Sequence, residues 1–178
     1  MVGSPLISKH WLHEFSYGER VSLIDAGFRV AYRIAYQLMR LRWHVVRPHT
    51  HGALIAVWHQ GELLIVKNSY VEYHCLPGGY LKRGETALAA AVRELAEECS
   101  IRIRPEELRL GRTETHQFEG KTDTVDIFDL DVDVRPPFRV DGREVVSAQF
   151  LKPDAALKLA LFPPLRRHIE ARLQAGQP

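Results

Sequence analysis

Apolar residues recur at helical spacing from Val21 to Val46, with Leu23, Ile24, Ala31, Ile34, Leu38 and Leu41 on one broad face. At about 100° per residue, Arg29, Arg33 and Arg40 fall in a narrow stripe with Tyr36 beside it. Beyond Pro48 the pattern changes. "GALIAVW" and "ELLIVKN", separated by "HQG", predict a hairpin of two strands. "CLPGGYLKRGE" reads as a glycine-bearing loop, and "TALAAAVRELAEEC" as a helix with Thr86 at its N-cap. "ELRLGRTETHQF" and "TDTVDIFDLDVDV" predict strands around the polar turn "EGKT", and "EVVSAQFL" a further strand. Asp154 is placed to cap a short helix through Leu159, and Pro163 and Pro164 to open the last one, "LRRHIEARLQ".

This order predicts an α/β (α+β) fold, a mixed sheet with helices packed on it. It divides into an N-terminal helical extension, residues 1–47, and a domain over 48–178. The simplest reading docks the apolar face of the first helix on that domain or on a second subunit, with its arginines in water. The helix could serve a homodimer, cover a substrate cleft or touch a membrane surface; the sequence leaves the three open.

Composition narrows the class. A chain of 178 residues with 46% hydrophobic content can bury a sizeable core. The formal charge of +2 is small, so bulk electrostatics do not point to nucleic acid as a partner, although Arg29, Arg33, Arg40, Arg42 and Arg47 gather early in the chain. Cys75 and Cys99 are spaced for neither zinc nor a disulfide framework and read as reduced core thiols, which fits a cytoplasmic location. The first fifteen residues, with Lys9, His10, His13 and Glu14, lack the apolar core of a secretory signal, and no run is apolar enough to be a transmembrane segment.

The helix after Thr86 carries the candidate chemistry. With Glu94 as origin, Glu97 lies at about −60° and Glu98 at about +40°, so three carboxylates share one face, opposite Leu88, Val92, Leu95 and Cys99. An acidic helix face alone is ordinary solvated surface, and an Arg93–Glu97 pair is worth only about 0.2–0.5 kcal/mol. The preceding loop shifts that balance. Gly78, Gly79 and Gly84 permit a tight path that can bring a main-chain carbonyl near the carboxylates. Oxygen ligands of both kinds suit a hard divalent cation such as magnesium, which commonly bridges carboxylates to phosphates.

Gly79, Glu85, Arg93, Glu94, Leu95, Glu97, Glu98 and Ile101 stand at the spacing of the Nudix signature, and the segment resembles the box of the Nudix hydrolases. Ser100 departs from it, standing where the family has glycine. A left-handed C-cap at that point costs a serine on the order of 1 kcal/mol, or a different helix exit is forced. The resemblance implies an α/β/α sandwich, magnesium or manganese as cofactor, and hydrolysis of a diphosphate linkage in a nucleoside diphosphate derivative. It implies metal binding by Glu94, Glu97, Glu98 and the carbonyl of Gly78 or Gly79, with Glu94 and Glu98 counted among the catalytic residues. Glu94 either joins the ligands or orients and deprotonates water. Arg93 and Glu85 resemble the pair that fixes loop against helix.

The general base stays open among Glu114, His116, Glu119, Asp123 and Asp126, each in or near the strands after the helix. His49, His51, His59 and His74 read as loop or hairpin residues, because hard magnesium prefers oxygen. Tyr73, Tyr80, Phe118 and Phe128 are candidates to stack on a base. At Gln117, Phe118 and Glu119 the marks of ADP-ribose and dinucleoside polyphosphate hydrolases are missing, so no substrate subfamily is singled out. Two rival readings are a noncatalytic nucleotide sensor and an RNA 5′-end pyrophosphohydrolase. A sensor commonly loses a box glutamate, and this chain keeps all three; the RNA enzyme calls for a broader basic surface.

Overall fold

The computed structural model describes residues 23–176. The expectations for residues 1–22, including the start of the first helix at Val21, lie outside the described residues. Helix α1 (Leu23–Val46) is followed by strands β1 (His49–His59), β2 (Glu62–Asn68), β3 (His74–Cys75) and β4 (Gly78–Tyr80). Helix α2 (Ala87–Cys99), strands β5 (Arg109–Phe118), β6 (Lys121–Asp131) and β7 (Val145–Leu151), and helices α3 (Pro153–Ala156) and α4 (Pro163–Gln174) complete it.

β1 is the central strand. It runs parallel to β6 from the His49–Thr122 pair to the Trp58–Asp131 pair, and β6 runs antiparallel to β5. The predicted β1–β2 hairpin exists but pairs only at Trp58–Leu63 and His59–Glu62. Beyond it the strands part: β1 pairs with β4, and β2 with β7 and β3. β3 and β4 fall in or beside the stretch that the sequence predicts as loop; both are too short to show a period of two, and only pairing to longer strands orders them.

The unbroken apolar run of β1 has the composition of a strand covered on both faces. Ala53, Ile55 and Val57 pack with Leu95 and Cys99 of α2, whereas Leu54, Ala56 and Trp58 pack with Leu165 and Ile169 of α4. The result is the expected helix–sheet–helix sandwich. α3 is shorter than predicted and starts at Pro153 behind an N-cap at Lys152, so Asp154 sits inside its first turn rather than capping it.

α1 does not dock its apolar face on its own domain, and its arginines do not stand in water as expected. Its buried residues are Tyr36 and Trp43, whereas Leu23, Ile24, Ile34, Leu38 and Leu41 stay 56–94% exposed. Its arginines turn toward the domain: Arg29 donates to Gly142 O at 2.7 Å, Arg33 to Ser69 O at 2.9 Å, and Arg40 pairs with Glu119 at 3.1 Å. Carbonyls and a carboxylate at the ends of sheet elements need donors, and the arginine stripe supplies them.

Candidate active site

α2 begins as predicted, with Thr86 Oγ1 accepting from Ala89 N–H at 3.2 Å. It ends at Ser100 with φ 58° and ψ 20°, the left-handed cap that the family's glycine would form. Serine therefore keeps the exit geometry and carries the conformational cost, while its hydroxyl donates to Arg139 O at 3.2 Å.

Within this frame the loop is locked to the helix. Arg93 holds both oxygens of Glu85, from Nε at 2.8 Å and from Nη2 at 2.9 Å, and Lys82 N–H adds a third bond to the same carboxylate. The guanidinium contact, with that amide, brings the Glu85 pKa down to about 2. Arg93 Nη1 also donates to Glu94 at 2.5 Å and to Glu97 at 3.2 Å, and Nη2 reaches the carbonyl of Tyr80 at 3.3 Å. One side chain thus spans the loop and two of the three helix glutamates.

Gly79 runs against Glu94 so closely that a Cβ there would lie 2.5 Å from Glu94 Oε1. Gly78, at φ 149°, would place a Cβ 2.2 Å from the carbonyl oxygen of Ala53. Gly78 is required for the loop to pass β1, whereas at Gly79 only the end of the Glu94 side chain stands in the way of a Cβ. Gly78 N–H donates to Glu98 Oε2 at 2.9 Å. Glu98 is 5% exposed, and burial, together with the neighbouring carboxylates of Glu144, Glu94 and Asp141, holds its pKa well above the usual range. Glu97 is the outermost of the three, its side chain 57% exposed.

Among the described residues no three His, Cys, Asp or Glu side chains converge on a common metal position. Glu94 is turned onto Arg93, and Glu98 onto Gly78 N–H. The donor set nonetheless fits a hard divalent cation: it is all oxygen, it crowds like charges together, and its innermost carboxylate is buried with one amide bond.

A glutamate that the sequence reading missed joins this group. Glu144, just before β7, is half-buried and accepts from Tyr70 Oη at 2.9 Å. Burial raises its pKa, as do Glu94, Asp141 and Glu97. Nothing in the local sequence marks it. The β2–β7 pairing and the Ser69 N–H to Glu144 O bond carry it to the box helix.

Beside the carboxylates opens a cavity of about 470 Å³. Glu94, Glu97 and Glu144 line it, and aromatic rings of Tyr36, Tyr70, Tyr73, Tyr80 and Phe118 supply much of the remainder. Tyr36 comes from α1, as do Tyr32 and Met39, so the N-terminal helix is a wall of this cavity. Lys121 lies 1% exposed at its base, 2.6 Å from Asp123 and 4.8 Å from the Trp43 ring centroid. Burial lowers its pKa against the pull of Asp123.

The other sequence candidates scatter. Glu114 is held by Arg167 and Arg112. His116 has both ring nitrogens unpartnered among Phe118 and Phe162. Glu119 accepts from Tyr36, and Asp126 from Thr113 while it pairs with His51. Only Asp123 of the five borders the cavity. Of the proposed stacking residues, Tyr73, Tyr80 and Phe118 line it, whereas Phe128 packs in the core against the α2 side.

A family model for the NUDIX domain matches residues 48–173. Among solved structures, a Caenorhabditis elegans Ap4A hydrolase in a binary complex superposes with a TM-score of 0.61 at 20% identity, over 71% of this chain and 98% of that one. A MutT NUDIX hydrolase from Burkholderia pseudomallei gives 0.61 at 20% identity, over 68% and 96%. A bifunctional NMN adenylyltransferase/ADP ribose pyrophosphatase from Francisella tularensis, solved with AMP and a manganese ion, gives 0.62 at 17% identity, over 81% of this chain and 47% of that one. Comparison with curated proteins finds no match. These likenesses establish the architecture, and the matched segment begins two residues after α1 ends.

Proposed function

The chain belongs to the Nudix hydrolase family, and we propose that it cleaves a diphosphate linkage in a nucleoside diphosphate derivative, with residues 48–178 as its catalytic domain and residues 1–47 as an extension. The observation that carries this reading is the juxtaposition of Glu94, Glu97 and Glu144 with an aromatic-walled cavity of about 470 Å³, the size of a small-molecule site.

Glu94, Glu97 and Glu98, with the carbonyl of Gly78 or Gly79, would hold magnesium or manganese, and Glu144 lines the same cavity as Glu94 and Glu97. When bound, the cation supplies Lewis-acid polarisation of phosphate oxygens and a lowered pKa for an attacking water. Arg93 fixes the geometry. By clamping Glu85 and touching Glu94 and Glu97, it sets the helix carboxylates against the glycine loop, so that a cation need only draw Glu94 and Glu98 from their present partners. The raised pKa of Glu144 suits it to take a proton from water, and the Tyr70 hydroxyl orients its carboxylate.

The rings of Tyr36, Tyr73 and Tyr80 offer flat surface for a nucleobase, and Lys121 with Asp123 offers a charged floor. The basic stripe of α1 does not call for RNA as substrate, since Arg29, Arg33 and Arg40 are engaged with the domain itself. Among the described residues no helix is long and apolar enough to cross a membrane. We assign the protein to the cytoplasm, in keeping with its two free cysteines.

Release of phosphate or nucleotide should be assayed across nucleoside triphosphates, nucleotide sugars, ADP-ribose and dinucleotides. The reading expects one group to be turned over at least about tenfold faster than its counterparts lacking a base. Equal turnover of inorganic pyrophosphate and the nucleotides would remove the nucleobase from the account.

A further inference from the structure

α1 has two faces, and only one is used by its own domain. Taken in heptads, Arg29, Tyr36 and Trp43 fall in the inward row. The opposite seam is Ile24, Gly27, Ala31, Ile34, Leu38, Leu41 and Val45, at alternating spacings of three and four, and every one of these is exposed. The large members are 56–79% exposed, and Leu23, Phe28 and Val30 at the edges are 43–94% exposed. The helix is about 36 Å long, so this contiguous apolar surface exceeds what a monomer commonly leaves to water.

From this we propose that α1 pairs with α1 of a second copy of this chain, as an antiparallel two-helix seam on a two-fold axis. Seven large apolar side chains within the overlapping span, at about 100 Å² each, would remove about 700 Å² per copy, within the range of a standard stable interface. The seam is also complementary to itself. The seam is small at Gly27 and Ala31, so an antiparallel register sets Gly27 against Leu38 and Ala31 against Ile34 of the partner, with Ile24 meeting Leu41 at the ends. A parallel register instead places Arg42, at the edge of the seam, beside its own copy.

A lipid surface fits less well. It takes a wide face with basic residues free to reach headgroups, whereas Arg29, Arg33 and Arg40 are committed to Gly142, Ser69 and Glu119. Gly27 and Ala31 would add little to insertion, yet they permit close approach of a helix. The same helix walls the cavity with Tyr36 on its inward side, so pairing would brace that wall without occupying it.

The test is the mass of the full chain in solution at micromolar concentration, by light scattering and sedimentation. Native protein is expected at twice 20.4 kDa, and Leu38→Glu at 20.4 kDa with unchanged helix content and unchanged turnover, because Leu38 is exposed and does not line the cavity. In a Gly27→Cys, Leu38→Cys variant, oxidation should give a covalent dimer. Four results overturn the proposal: a monomeric native chain; a dimer that persists in Leu38→Glu; a monomer that dimerises only when residues 1–22 are removed; or flotation with phosphatidylglycerol vesicles that Leu38→Glu abolishes.

Discussion

Tyr36 donates its hydroxyl proton to Glu119, which joins the middle of α1 to the turn between β5 and β6. That contact sets the tyrosine ring at the cavity wall, beside Tyr70 at 5.0 Å between centroids. If the ring stacks on the substrate, Tyr36→Ala raises KM about tenfold and leaves kcat within about twofold, the pattern of lost uniform binding. Tyr36→Phe keeps most of the affinity. A fall in kcat at unchanged KM would place Tyr36 elsewhere in the account.

Gly79→Ala puts a methyl group 2.5 Å from Glu94 Oε1, too close for both to stay in place. The flexible end of Glu94 can move aside, so the fold survives while the carboxylate leaves its place. The expected result is a 10- to 100-fold loss of kcat/KM, of about the size seen when a metal ligand's support is removed, with a nearly unchanged melting transition. Full activity in this variant would mean that the position of Glu94 is immaterial.

Lys121 and Asp123 form a buried ion pair at 2.6 Å, with Thr50 bonded to both. Lys121→Met strands the carboxylate and should cost about 3–5 kcal/mol in urea denaturation. Adding Asp123→Asn should recover most of that loss. A double variant as unstable as the sum of the single ones would show that the two charges do not depend on each other.

Asp129 lies between Trp58 at 2.9 Å and His168 at 3.0 Å, with Arg172 at 3.4 Å. Burial alone would raise its pKa; His168, Trp58 and Arg172 outweigh that and hold it below its ordinary value. The ionised form is thus favoured by folding. Its contribution is present above about pH 4 and is lost as the pH falls through the lower folded value. The native midpoint in denaturant should drop between about pH 5 and pH 2, and Asp129→Asn should show a shallower slope. Equal slopes would exclude Asp129 from the acid transition.

The box and the Arg93–Glu85 clamp were legible through the resemblance to the Nudix signature, and the acidic helix face and the Thr86 N-cap were legible because helix periodicity and capping chemistry determine them. The longer strands were legible for the same local reason. β3 and β4 were not, since they take their order from neighbours distant in the chain. Glu144 was hidden likewise, because only β-pairing brings it to α2. The orientation of α1 was misread for a different reason. An amphipathic pattern shows that two faces differ, but the inward one here is set by carbonyls and Glu119, groups that no window around α1 contains.

The most direct measurement is turnover of the best nucleoside diphosphate derivative by the native protein and by Glu98→Gln, each with magnesium, with manganese and with a chelator. The account predicts activity that requires the cation and falls at least about 1,000-fold in Glu98→Gln, with the fold retained by circular dichroism. Turnover that persists in the chelator, or in the variant, would contradict the assignment of the α2 carboxylates to a divalent cation.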